Sequence, residues 1–187
     1  MSKRTPKTVP RFQTPIIETH CHLDYLAQDT IADELQAITE AGVERIVTIA
    51  VSADNLKTVL SLCNQHEHIW GTQGIHPHEA SSWTPSVAQA VAQGASHPKV
   101  VAIGEIGLDY YYEHASPQSQ IAAFEAQLSL AAERDLPVVI HTREADADTR
   151  TVLENHARHL RNKGVIHSFT SSQALADYCL SEGFYLG

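Results

Sequence analysis

"LPVVIHTREADADTRTVLENHARHLRNKGVIHSF", residues 136–169, decides the fold. It opens on an apolar run, Leu136 to His141, rich in β-branched residues, which reads as a strand buried on both faces. A helix is expected over residues 146–160. A second apolar run, "GVIHSF", follows as another strand. Strand, helix and strand joined by short links form the repeating unit of a parallel sheet covered by helices. Both strands end in a histidine, His141 and His167. Active sites of parallel α/β proteins gather at that carboxyl edge.

The same alternation extends in both directions. Upstream lies "SPQSQIAAFEAQLSLAAERD", a long helix with Ser116 and Pro117 as start signals. Before it come the strand "KVVAIGEIGLD", a helix with Pro85 near its start, and the strand "IWGTQGIH". A helix over 53–66 and the buried strand "VERIVTIAVS" precede these. A helix over 30–41 places Leu35, Ile38 and Ala41 on one stripe, with Gly42 just past its end. The first strand begins at Ile16 and Ile17 and runs into "ETHCHLD". Downstream, "SSQALADYCLSEG" reads as a helix capped by serine and stopped by Gly183, and "FYLG" opens a seventh strand. Two architectures fit: a doubly wound sheet or a closed (β/α)8 barrel. The glycine fingerprint of a dinucleotide fold is absent, and "GEIGLD" follows a different pattern. Residues 15–187 read as one domain, and the Pro-rich basic residues 1–14 as a disordered tail.

The bulk numbers narrow the function. The 187 residues are 43% apolar and 19% charged, with mean hydropathy −0.20. That suits a globular protein with a sizeable core. No apolar run approaches the ~18 residues of a membrane span. The formal net charge is −9. Setting aside Lys3, Arg4, Lys7 and Arg11 leaves nine basic against 22 acidic residues. Such a body is a poor general adhesive for nucleic acid, and bound cations would have to supply local positive charge. Cys21, Cys63 and Cys179 form no close pair, and the N-terminus lacks a secretory pattern. Reduced thiols and a cytoplasmic location are therefore expected.

Polar residues recur where the apolar runs end. His20 and His22 end the first strand; positions two apart share a face, and paired imidazoles suit a metal ion. His76 ends the third strand and Glu105 ends the apolar run "VVAIGE" of the fourth, with Asp109 four residues on. His141 and His167 end the fifth and sixth. A charged glutamate inside an apolar strand costs several kcal/mol unless something compensates it, as a metal would. Arg143, two after His141, is placed to reach a phosphate. His76 and His78 in "GIHPH" are expected to bind substrate oxygens. Asp24 and Asp109 are candidates for orienting the ligand histidines. Tyr111 is the tyrosine of "LDYYYE" placed to approach substrate. His66, His68, His97, His114, His156 and His159 read as structural or solvated.

Taken together, "ETHCHLD", "GIHPHEA", "AIGEIGLDYYY", "LPVVIHTREADADT" and "VIHSFTSS" resemble the TatD family of metal-dependent deoxyribonucleases. The resemblance runs from residue 16 to residue 187. It implies a TIM (β/α)8 barrel of the amidohydrolase-like kind with two divalent metal ions (Mg, Mn or Zn). By position, it implies that His20 and His22 bind one ion, that His141 and His167 bind the other, and that the catalytic Glu105 bridges both. It implies DNA as substrate, in single strands or at chain ends, and leaves the oligomeric state open. There are two departures. Glu18 stands where the family usually has Asp. The family also carries a further Asp ligand in an "ETD" motif near its last strand, and family barrels run to ~250 residues. The barrel expected here is therefore truncated within the seventh strand. Hydrolysis of another ester or amide bond on the same scaffold, or an inactive fragment, are the alternative expectations.

Overall fold

The computed structural model describes residues 14–26 and 31–187. The expected basic tail lies almost wholly outside the described residues. Among the described residues, seven strands alternate with six α-helices. They are β1 (Ile16–Cys21), α1 (Ile31–Glu40), β2 (Val43–Thr48), α2 (Leu56–Gln65), β3 (Ile69–Gln73), α3 (Pro85–Gly94), β4 (Val100–Asp109), α4 (Pro117–Glu133), β5 (Val138–Arg143), α5 (Asp146–His156), β6 (Gly164–Ile166), α6 (Gln173–Ser181) and β7 (Tyr185–Leu186). The helix starts follow the capping residues. Thr84, Ser116 and Ser172 each accept a backbone N–H of the first turn through the hydroxyl, and Pro85 and Pro117 occupy first helical positions, where no N–H is needed.

All seven strands are parallel and stand in chain order, β1 to β7. Their buried residues, among them Ile46, Ile69, Ile103, Ile140 and Ile166, pack in one cluster with Leu62, Phe124, Leu128 and Leu153 from the helices. A flat sheet would hold β1 and β6 roughly 24 Å apart, at ~4.8 Å per strand. Instead the rings of His20, on β1, and His167, just past β6, stack with centroids 3.3 Å apart. The sheet therefore curls on itself, as barrel strands do.

Three differences from the sequence reading matter for the site. The third strand stops at Gln73, so His76 lies beyond it, at the start of a 3-10 turn over Pro77–Ser82. The chain leaves the strand at Gly74, where a Cβ would meet the backbone of Gly104. A second 3-10 turn, Leu23–Tyr25, follows His22 directly. The helix expected over 146–160 is α-helical only to His156 and tightens to 3-10 geometry over Ala157–His159.

Candidate active site

Glu105 is the centre of the site. It sits at an irregularity in the β4–β5 register, between Gly104 and Ile106, the kind of bulge that re-aims a side chain. Its N–H donates to the carbonyl of Ala50, 2.9 Å away. The next carbonyl, Val51, accepts the N–H of His76 at 2.8 Å. Two consecutive carbonyls just past β2 thus hold the main chains of two site residues. The His167 N–H extends the β5–β6 pairing by donating to Ile140 at 2.8 Å.

The carboxylate of Glu105 is 3% exposed and ringed by imidazoles. Its Oε2 lies 3.3 Å from His20 Nε2. Its Oε1 lies 3.2 Å from His141 Nδ1 and 3.9 Å from His76 Nε2. Burial alone would raise the Glu105 pKa; His141, His20 and His76 outweigh it and keep the group ionised well below the usual carboxylate range. Burial pushes His76 down to about 3, against the pull of Glu105, and lowers His167. Both are neutral at pH 7, the form in which imidazole offers a lone pair.

Asp109 forms the layer behind. It is fully buried, and its Oδ2 accepts from both His78 Nε2 and His141 Nε2 at 2.9 Å. Its Oδ1 accepts the N–H groups of Tyr111 and Tyr112, each at 3.0 Å. Burial favours the neutral carboxyl, but the Tyr112 N–H and the two histidines prevail and hold its pKa at about 2. His141 thus has a carboxylate at each ring nitrogen. Burial pulls its pKa down, while Glu105 and Asp109 pull harder and leave it raised.

The donors fall into two groups that share Glu105: His20–Glu105–His167 and His76–Glu105–His141, with ligand atoms of each group within 4.8 Å of one another. His20 Nδ1 and His22 Nδ1 are buried without a hydrogen-bond partner. The His20 nitrogen that faces Glu105 is Nε2, the ring's other donor atom. Mixed imidazole and carboxylate donors suit Zn or Mn, and Mg through the carboxylate. The residues present therefore fit divalent cations.

The expected ligands His20, Glu105, His141 and His167 converge. His22 stands beside His20, with ring centroids 5.4 Å apart, but belongs to neither three-donor group. His76, expected to touch substrate, sits among the donors; its place at the end of an apolar run was the available signal. His78 backs onto Asp109. Asp24 accepts from Asn55 Nδ2 at 3.0 Å rather than from a histidine. His22, Tyr25, His76, His78 and Glu105 line an open cavity of about 290 Å³. Arg143 lies over the half-exposed Tyr111 ring, 5.0 Å from its centroid, and donates to Thr170 Oγ1 at 3.3 Å. His114, read as structural or solvated, packs 4.6 Å from His78 at the rim.

A family model described as "TatD related DNase" matches residues 17–187. A protein of Erwinia amylovora named "3'-5' ssDNA/RNA exonuclease TatD" is 41% identical over 149 residues, covering 79% of this chain and 57% of its own. The Escherichia coli K12 protein of the same name is 34% identical over 155 residues, covering 83% and 59%. The chain thus spans little more than half the length of these curated relatives. The crystal structure of YJJV, a TatD homologue of Escherichia coli K12, superposes with a TM-score of 0.81 at 32% identity, covering 91% of this chain and 66% of that one. A TatD family hydrolase of Entamoeba histolytica shares the fold at TM-score 0.83 and 22% identity, covering 93% and 64%.

Proposed function

Because this chain belongs to the family of TatD-related DNases, we propose that it is a metal-dependent hydrolase cleaving phosphodiester bonds of DNA, from the ends of single strands. The carrying observation is the ionised, buried Glu105 shared by two donor groups. Support for a single-stranded substrate attacked at its ends comes from relatives named 3'-5' ssDNA/RNA exonucleases.

Two divalent ions would be held, one by His20, Glu105 and His167, with His22 alongside, the other by His76, Glu105 and His141. When bound, such ions supply Lewis acidity, offsetting charge on a phosphodiester and lowering the pKa of water in the site. Glu105 provides the negative charge that both donor groups share. Asp109 fixes the His141 ring with Nδ1 turned toward Glu105, and holds His78 the same way on the other flank. Glu105 and Asp109 hold the His141 pKa above its ordinary value against burial, so a cation held by this ring would compete with a proton for it. Arg143 and His78 are the substrate-side groups: a guanidinium suits a phosphate, and His78 Nδ1 points away from Asp109. Tyr25 and Tyr111, 73% and 52% exposed, offer faces to unpaired bases.

No helix among the described residues is long and apolar enough to cross a membrane. All three cysteines are free and their thiols are pushed up by burial, which supports a reducing, cytoplasmic setting. The formal charge of −9 favours a second reading, hydrolysis of a small ester or amide.

The test is metal analysis of the purified protein, then hydrolysis assays on single-stranded DNA, duplex DNA, RNA and a generic phosphodiester at several salt concentrations. The expected result is metal-dependent release of nucleotides from single strands, suppressed by salt and lost with Glu105→Gln. Salt-independent turnover of a small ester, or full activity in Glu105→Gln, would overturn the proposal.

A further inference from the structure

Two glutamines on α4 are more deeply buried than their chemistry warrants for core filling. Gln120 is 1% exposed and Gln127 fully buried. Seven residues apart, they lie two turns from each other on one face of the helix. Each makes the same three-bond contact. Gln127 Oε1 accepts the Ile75 N–H at 2.7 Å, while its Nε2 donates to the Ile75 carbonyl at 3.1 Å and to Ala123 at 3.1 Å. Gln120 Oε1 accepts the Asp109 N–H at 2.7 Å, while its Nε2 donates to the Asp109 carbonyl at 2.9 Å and to Ala115 at 2.9 Å. A primary amide both donates and accepts, so it can pair with the N–H and C=O of one residue as a neighbouring strand would. Ile75 and Asp109 need that partner, since their peptide groups are buried where strand pairing gives out.

Ile75 immediately precedes His76, and Asp109 orients His141. Both clamped residues therefore serve the His76–Glu105–His141 group. The main-chain N–H groups of His20 and His167 go instead to Glu18, at 2.8 Å, and Ile140. We propose that Gln120 and Gln127 are positioning residues for one metal site of the two: α4 acts as a ruler that spaces His76 from the Asp109-held His141. This rests on the two-metal reading above and adds that the two sites have separate supports.

The test is titration of the metal-free protein with Mn²⁺ by calorimetry, with thermal midpoints measured alongside. The variants are Gln120→Met and Gln127→Met, which keep the volume and remove the amide, and Gln120→Asn and Gln127→Asn, which keep the amide and shorten its reach. Leu128→Ala, which opens a cavity in the same helix and removes neither amide, is the control. The wild type is expected to bind two equivalents. Each glutamine variant should weaken one equivalent by at least about tenfold, the scale of losses from groups that orient ligands, and leave the other within about twofold. Leu128→Ala should lower the midpoint at least as far and keep both. Equal weakening of both equivalents, the same loss in Leu128→Ala, unchanged binding, or failure of every glutamine variant to fold would each overturn the proposal. A wild type that binds no Mn²⁺ would instead remove the metal-dependent reading itself.

Discussion

His141 Nε2 donates to Asp109 Oδ2 across 2.9 Å, while Nδ1 on the opposite side of the ring stands 3.2 Å from Glu105 Oε1. One carboxylate orients the ring and the other shares its function. Asp109→Asn keeps the shape but removes the charge that fixes the tautomer. Metal affinity should fall about 10- to 100-fold, read by calorimetric titration. Unchanged affinity would deny Asp109 its orienting role.

The pH dependence of stability in the metal-free protein follows from His76. Its folded pKa, about 3, lies below the unfolded value of about 6.5. Between these values the unfolded chain binds more protons, so stability rises with pH, by up to about 1.4 kcal/mol per unit. Acidifying from pH 6.5 to 5 should cost about 2 kcal/mol through this group, and His76→Gln should flatten the slope of the thermal midpoint. His141 has the opposite sign. Its raised pKa gives stability that is full below about pH 6.5 and is lost as pH climbs through the folded value. An identical slope in His76→Gln would show that His76 is not buried neutral.

Gly107 has a φ of +135°, and a Cβ there would run into the carbonyl oxygen of His141. Gly107→Ala therefore meets both a backbone conformation that side chains resist and a collision with the β5 main chain. A loss of about 3 kcal/mol or more is expected in urea unfolding, with weaker metal binding as His141 is displaced. A loss under about 1 kcal/mol would show that β5 yields easily.

Arg143 stands over Tyr111, two residues past His141 on β5. If it contacts a phosphate, Arg143→Ala should weaken binding of single-stranded DNA and make the slope of log K against log salt shallower by about 0.7. Binding measured by fluorescence anisotropy at four or five salt concentrations decides this. Weaker binding with an unchanged slope would confine Arg143 to supporting the tyrosine.

Much of the architecture is local and so was readable from sequence. Ser116 with Pro117 marks the start of α4 because capping and a fixed φ are properties of those residues alone. The β-branched runs announce β2 and β5 for similar reasons. The positions of His20, His141 and His167 near strand ends were also visible, since a polar residue closing an apolar run is a pattern in one dimension; Glu105 instead lies inside β4, where a bulge rather than the strand's end aims it. Partnership was not visible. Period-two reasoning pairs His20 with His22, but curling of the sheet stacks His20 on His167. His76 joins the donors because the chain turns at Gly74 and Pro77, a geometry that strand periodicity does not encode. Gln120 and Gln127 left no trace, because a buried amide and a solvated one look alike until the backbone they clamp is in place.

The sequential strand order carries a consequence for biogenesis. A nascent chain emerges N-terminus first, and each new βα unit can dock on the one made just before it. The His76–Glu105–His141 trio is complete once β5 has left the ribosome, whereas His20 must wait five strands for His167. The two donor groups are thus assembled in sequence, His76–Glu105–His141 before His20–Glu105–His167.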